Sequence, residues 1–150
     1  PLWNTTILPA LFVISALSTG LAAAVVLAVA WPSGERRLEG EHFYYLNQVH
    51  SLMIVIELIL IFCWLFISAN GPSAAAESVS MLMTGKLAIF FWIGVIFFGI
   101  IDPLVIYVYE VLMHKPLMPF GMIVSDSSVL LGGAALRYLA LAAAVPIALI

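Results

Sequence analysis

Charge is scarce in this chain. Only 9% of its 150 residues are charged, and five of them are lysine or arginine. A soluble domain of this length carries roughly a quarter charged residues and uses them to cover its surface. This chain cannot, which excludes a soluble globular domain. The shortage of basic residues leaves no positive patch and excludes nucleic-acid binding. A single cysteine, Cys63, lies inside an apolar run and excludes an intrachain disulfide. No Walker A loop, nucleophile elbow or metal-spaced Cys/His cluster is present. No basic n-region of a signal peptide precedes the first apolar run.

Apolar residues are abundant instead: 65% of the chain, with a mean hydropathy of +1.20. A bilayer core of about 30 Å takes about 20 residues of helix. Four runs reach that length, approximately 7–31, 43–67, 87–109 and 129–150. They are too long and too uniformly apolar for barrel strands, which alternate. Helices are the other way to satisfy a spanning backbone. The connecting stretches "WPSGERRLEGEH", "SANGPSAAAESVSM" and "MHKPLMPFGMIVSDSS" carry the Pro, Gly and polar residues of turns. In the second, Ser73 is placed to cap a short helix through Glu77. The predicted fold is all-α and integral to the membrane, an antiparallel four-helix transmembrane bundle. Arg36, Arg37 and Lys115 in the first and third loops, against Lys86 opposite, predict a cytoplasmic position for those loops.

Four polar residues inside the spans are candidates for a proton pathway: His50, Glu57, Asp102 and Arg137. Arg137 falls roughly 3 Å from the midplane of its span, and Asp102 about 6 Å from the midplane of the neighbouring one, toward the same loop. An arginine so deep needs an internal partner, and Asp102 is at a suitable depth. Such a pair locks the bundle, handles charge, or meets a lipid or quinone headgroup. Gly133, one turn before Arg137, leaves room for the guanidinium. Glu57 sits mid-span. His50, one heptad earlier, shares its face within about 20° and lies about 10 Å away along the axis. With Tyr45, Asn47 and Gln48, these residues form a polar track from the first-loop end, a relay or a tether between helices. His42 and His114 fall in loops, so no second intramembrane histidine supports haem ligation by His50. Ser15, Ser18, Thr19 and Ala22 form a small-residue stripe that predicts close helix packing. Phe90, Phe91, Trp92, Phe97 and Phe98 read as lipid-facing or core bulk. Asp102-Pro103 predicts a kink or loosened turn whose freed carbonyls need partners, Arg137 among them.

Three passages resemble one family when taken together: "PLWNTTILPALFVISALSTGLA", "TGKLAIFFWIGVIFFGIIDPLVI" and "LLGGAALRYLALAA", with "IELIL" around Glu57. They are similar to the C-terminal half of the polysulfide reductase membrane-subunit family, also called NrfD-like. The resemblance implies one half of a two-bundle, eight-helix fold, so this chain is expected to be a fragment lacking an upstream bundle. It implies a bacterial or archaeal cytoplasmic membrane. It also implies a subunit that ligates no haem or metal, takes quinone or quinol as substrate, and exchanges electrons with an iron–sulfur partner and further redox subunits. Some members are proposed to move protons. The quinone pocket of the family belongs mainly to the first bundle, so no quinone residue carries over here. Two alternatives stand beside this reading: a structural membrane anchor without its own quinone or proton role, and a small transporter module.

Overall fold

The computed structural model describes residues 5–30, 41–113 and 119–143. All the regular structure in them is helical: α1 (Ile7–Ala30), α2 (Glu41–Ala69), α3 (Ser73–Met83), a π-helical segment (Phe90–Ile101) running directly into α4 (Asp102–Met113), and α5 (Pro119–Ala142). The basic residues of the first and third loops lie outside the described residues, as does the end of the fourth expected span. Three stretches are long and apolar enough to cross a membrane: Ile7–Ala30, Tyr45–Ala69 and Phe90–Glu110. Large apolar side chains ring the outside, including Leu27, Phe62, Ile89 and Leu112. Water would not tolerate so much exposed hydrocarbon, whereas lipid does. The protein is integral to the membrane.

Local chemistry explains the boundaries. Pro9 sits in the first turn of α1, where an N–H would have no helical partner anyway. α2 stops at Asn70-Gly71-Pro72, with Asn70 donating from both its backbone N–H and its side-chain amide to the Phe66 carbonyl. Pro72, not Ser73, caps α3. Its carbonyl accepts from the Ala75 and Ala76 N–H groups, and Ser73 is already helical. α3 buries Ala75, Ser78, Val79 and Leu82, and the Trp92 indole donates to the carbonyl of Met83 at its end. α2 begins early enough to include His42, which the sequence had placed in a loop.

The third crossing is wound in two ways. Buried Phe91, Val95, Gly99, Pro103 and Tyr107 recur at every fourth residue. In an α-helix of 3.6 residues per turn, a four-residue period drifts by about 40° at each step. Wider π winding drifts the other way, so the π segment followed by α4 keeps the stripe on one face. The change occurs at Asp102-Pro103. The Asp102 N–H still bonds back to Phe97, and Pro103 has no N–H with which to continue the ladder. The expected loosened turn is therefore a change of winding. Of the aromatic cluster, Phe91 is core, while Phe90, Trp92, Phe97 and Phe98 face outward.

α5 starts ten residues before the expected start at 129. The polar residues Ser125, Asp126 and Ser128, read as loop, are helical and buried. They face other helices, where polarity is no sign of a turn. α5 is a full-length helix but is more polar than the three apolar crossings, with Asp126 and Arg137 along it. It packs antiparallel to α1, as the Val25–Met122 cluster at one end and the Thr19–Gly133 contact further along require. It is also antiparallel to the π segment: Gly99 meets Gly132, and Gly94 faces Ala135.

Candidate functional site

The polar residues converge on the interior from four helices. Ser15, Ser18 and Thr19 of α1 are buried, so the small-residue stripe is a packing face as expected, and it is also a source of hydroxyls. α2 contributes Asn47, His50 and Glu57, α4 contributes Tyr107 and Glu110, and α5 contributes Asp126. All of these are buried. Helical periodicity places Asn47, His50, Ile54, Glu57, Ile61 and Trp64 on one inward stripe of α2.

At the end nearest the first and third loops, the Asn47 side-chain amide donates to Glu110 Oε2 at 2.9 Å. One turn deeper, His50 is 1% exposed and engaged at both ring nitrogens. Nδ1 lies 2.9 Å from the Tyr107 hydroxyl, and Nε2 lies 3.2 Å from the Ser18 hydroxyl. Tyr107 donates to Asp126 Oδ1 at 2.8 Å, and that oxygen stands 3.5 Å from His50 Nδ1. The Ser125 hydroxyl is buried beside Tyr107 with no partner of good geometry.

Deeper still, Glu57 faces the Ser15 hydroxyl and lies within electrostatic reach of Arg137. Ser15 is fully buried, yet its hydroxyl closes no hydrogen bond of good geometry. Arg137 Nη2 donates to Thr19 Oγ1 at 3.0 Å, and Thr19 in turn donates to the Ser15 carbonyl at 2.8 Å. Gly133 makes this possible. A Cβ there would collide with the Thr19 methyl, while Arg137 Nη1 would lie in ordinary contact at 3.7 Å. The expected room beside the guanidinium is real, and α1 occupies part of it.

The Asp102–Arg137 pair is not formed; among the described residues no ion pair joins the two. Register is the reason. Gly99 and Gly132 lie at one level of antiparallel helices. From there Arg137 runs one way and Asp102 the other, which separates them by about 12 Å along the axis at about 1.5 Å per residue. Asp102 is half-buried at the π-to-α boundary, away from the polar row. Of the sequence candidates, His50, Glu57 and Arg137 share one interior, and Asp102 stands apart. The expected track holds at Asn47, but Tyr45 and Gln48 point outward. The gap between His50 and Glu57 is lined by α1 hydroxyls, Ser18 toward His50 and Ser15 toward Glu57.

Sequence reading missed Tyr107, Glu110 and Asp126. Tyr107 and Glu110 are one turn apart and share a helix face. Asp126 precedes Gly133 by one heptad and shares the inward stripe of Met122, Val129 and Leu136. That periodicity was the available signal, outweighed by the polar look of "SDSS".

A carboxylate row threaded with histidine, tyrosine and serine, inside helices with apolar exteriors, defines a helical integral membrane protein with a hydrogen-bonded polar interior. A family model described as "Polysulphide reductase, NrfD" matches residues 1–148, and the chain belongs to that family. It is 33% identical over 141 residues to a polysulfide reductase polypeptide of Wolinella succinogenes, covering 92% of this chain and 43% of the relative. It is 28% identical over 105 residues to "Protein NrfD homolog" of Haemophilus influenzae, covering 70% of this chain and 32% of the relative. The chain thus spans less than half the length of these curated relatives. No solved structure matches it.

Proposed function

We propose that this chain is half of the membrane subunit of a redox complex, in which electrons pass between membrane quinone and an iron–sulfur partner and the buried polar row moves protons. Under this reading it crosses the membrane four times, α5 included, and pairs with a second bundle. Quinone is the substrate, and the chain itself ligates no haem, metal or cluster. Membership of the family and the name of the Wolinella relative support the redox assignment. The proton assignment rests on one observation: the row Asn47–Glu110, His50–Tyr107–Asp126, Ser18, then Ser15–Glu57–Arg137 runs from one end of the helices to their middle. Polar groups in that position are costly, and in membrane proteins they commonly mark ion or proton paths. A quinol that gives up electrons also gives up protons, and these need a route.

The test is Glu57→Gln in the assembled complex. It preserves shape and hydrogen bonding but cannot take up a proton. Proton release coupled to quinol turnover should fall, while electron transfer fed downstream of the quinone persists. Wild-type turnover with wild-type proton stoichiometry would reduce Glu57 to a tether and favour the structural anchor.

A further inference from the structure

Directions of donation in the row are constrained by chemistry. An ionised carboxylate only accepts, so Tyr107 must give its single hydroxyl hydrogen to Asp126. The Tyr107 oxygen is then left to accept, and the partner 2.9 Å away is His50 Nδ1, which must carry hydrogen. A neutral imidazole protonated at Nδ1 has a bare Nε2, and Ser18 donates to it across 3.2 Å. Every bond therefore points one way, from Ser18 through His50 and Tyr107 to Asp126.

We propose that Asp126 is the proton-accepting end of a reversible four-member chain, Ser18–His50–Tyr107–Asp126, in which one arriving proton inverts every hydrogen bond. The step balances. A proton reaching the Ser18 hydroxyl displaces that group's own hydrogen onto His50 Nε2. The Nδ1 hydrogen passes to the Tyr107 oxygen, and the original Tyr107 hydrogen passes to Asp126. Afterwards Asp126 is a neutral acid donating to Tyr107, Tyr107 donates to Nδ1, and Nε2–H donates to Ser18. One proton has entered, one carboxylate has been neutralised, and the imidazole has exchanged tautomers without remaining charged. The geometry needs no rearrangement of heavy atoms. The direct 3.5 Å approach of Nδ1 to Asp126 is too long for a hydrogen bond, so the route runs through Tyr107.

The groups facing Asp126 from each side fit this role. α2 presents His50, and α4 presents Tyr107 with Glu110 one turn beyond, itself held by Asn47. α1 presents the uncharged Ser18 behind His50. On α5 the cation Arg137 is about 16 Å further along the axis. Among the described residues no cation on these faces pins Asp126 in its ionised form, which is what a group that loads and unloads a proton requires. Glu110 is the next carboxylate toward the helix ends.

The inference rests on the proton-moving reading above but is tested apart from turnover. The full protein, assembled in lipid, is labelled with nitrogen-15 histidine and followed by NMR across pH, with the His50 signal assigned by its loss in His50→Gln. Infrared difference spectra report carboxyl protonation in the same samples. Wild type should show His50 changing from Nδ1–H to Nε2–H at the midpoint where a carboxylic acid band appears, and Asp126→Asn should remove that band. A His50 that keeps one tautomer throughout, or that becomes doubly protonated there, overturns the chain. Tyr107→Phe should keep the acid band and lose the tautomer exchange. Exchange surviving in that variant overturns the part given to Tyr107. If wild type shows the exchange but Asp126→Asn retains the full proton stoichiometry of quinol turnover, the chain stands and its coupling to redox turnover falls.

Discussion

Gly132 lies against Gly99 so closely that a Cβ on Gly132 would fall inside the backbone of its neighbour. Gly132 also has Gly133 beside it, turned toward α1, so one Gly-Gly step lets α5 approach two helices at once. Close backbone approach is how helices bind one another in lipid, where tails are as apolar as leucine.

Gly132→Ala should therefore destabilise the protein by about 1–3 kcal/mol through overpacking. Gly20→Ala, with open space around it in the interior of α1, should hold stability or raise it by up to about 1 kcal/mol through helix propensity. Thermal unfolding of the two variants in the same detergent checks the contrast. Equal melting temperatures would refute the contact and the register that depends on it.

The same register moves Arg137 away from Asp102 and toward Thr19. Thr19→Val keeps the side-chain volume and removes the hydroxyl that Arg137 donates to, and should cost about 1–2 kcal/mol. Asp102→Asn should stay within about 0.5 kcal/mol of wild type. Chemical unfolding or assembly yield ranks the two, and the opposite ranking would restore the Asp102 pair.

Asn47 and Glu110 form the outermost link of the row. Asn47→Ala leaves a buried carboxylate without its donor and should cost about 1–3 kcal/mol. Combined with Glu110→Leu, the loss should be less than the sum of the single changes, with a coupling of about 0.5–3 kcal/mol in a double-mutant cycle. Strict additivity would mean that the two groups do not interact.

Glu57 should separate chemistry from packing. Glu57→Gln should fold and assemble as wild type does, whereas Glu57→Leu removes the polar group beside Ser15 and Arg137 and should lose about 1–3 kcal/mol. Assembly and melting of the two variants without any turnover assay test this. Equal stability would show that Ser15 and Arg137 draw nothing from the carboxylate.

Much was legible in the sequence because it depends on one helix at a time. Scarcity of charge and long apolar runs determine a helical membrane protein, since a backbone in lipid must satisfy its own hydrogen bonds. Inward stripes such as Ser15–Ser18–Thr19–Ala22 and His50–Glu57 follow from periodicity alone. Family membership was carried by local passages and needed no contact between them. What only the tertiary structure decided is relative height and winding. Asp102 and Arg137 each sit at a plausible depth in their own span, and nothing in either span states how far its neighbour has slid; the Gly99–Gly132 contact settles that. Asp126 looked like loop because its polarity was measured against water, whereas its true surroundings are Tyr107 and His50 on two other helices. The π winding of the third crossing is likewise a compromise between a four-residue stripe and a 3.6-residue helix. Such a compromise appears only when there is a second surface for the stripe to face.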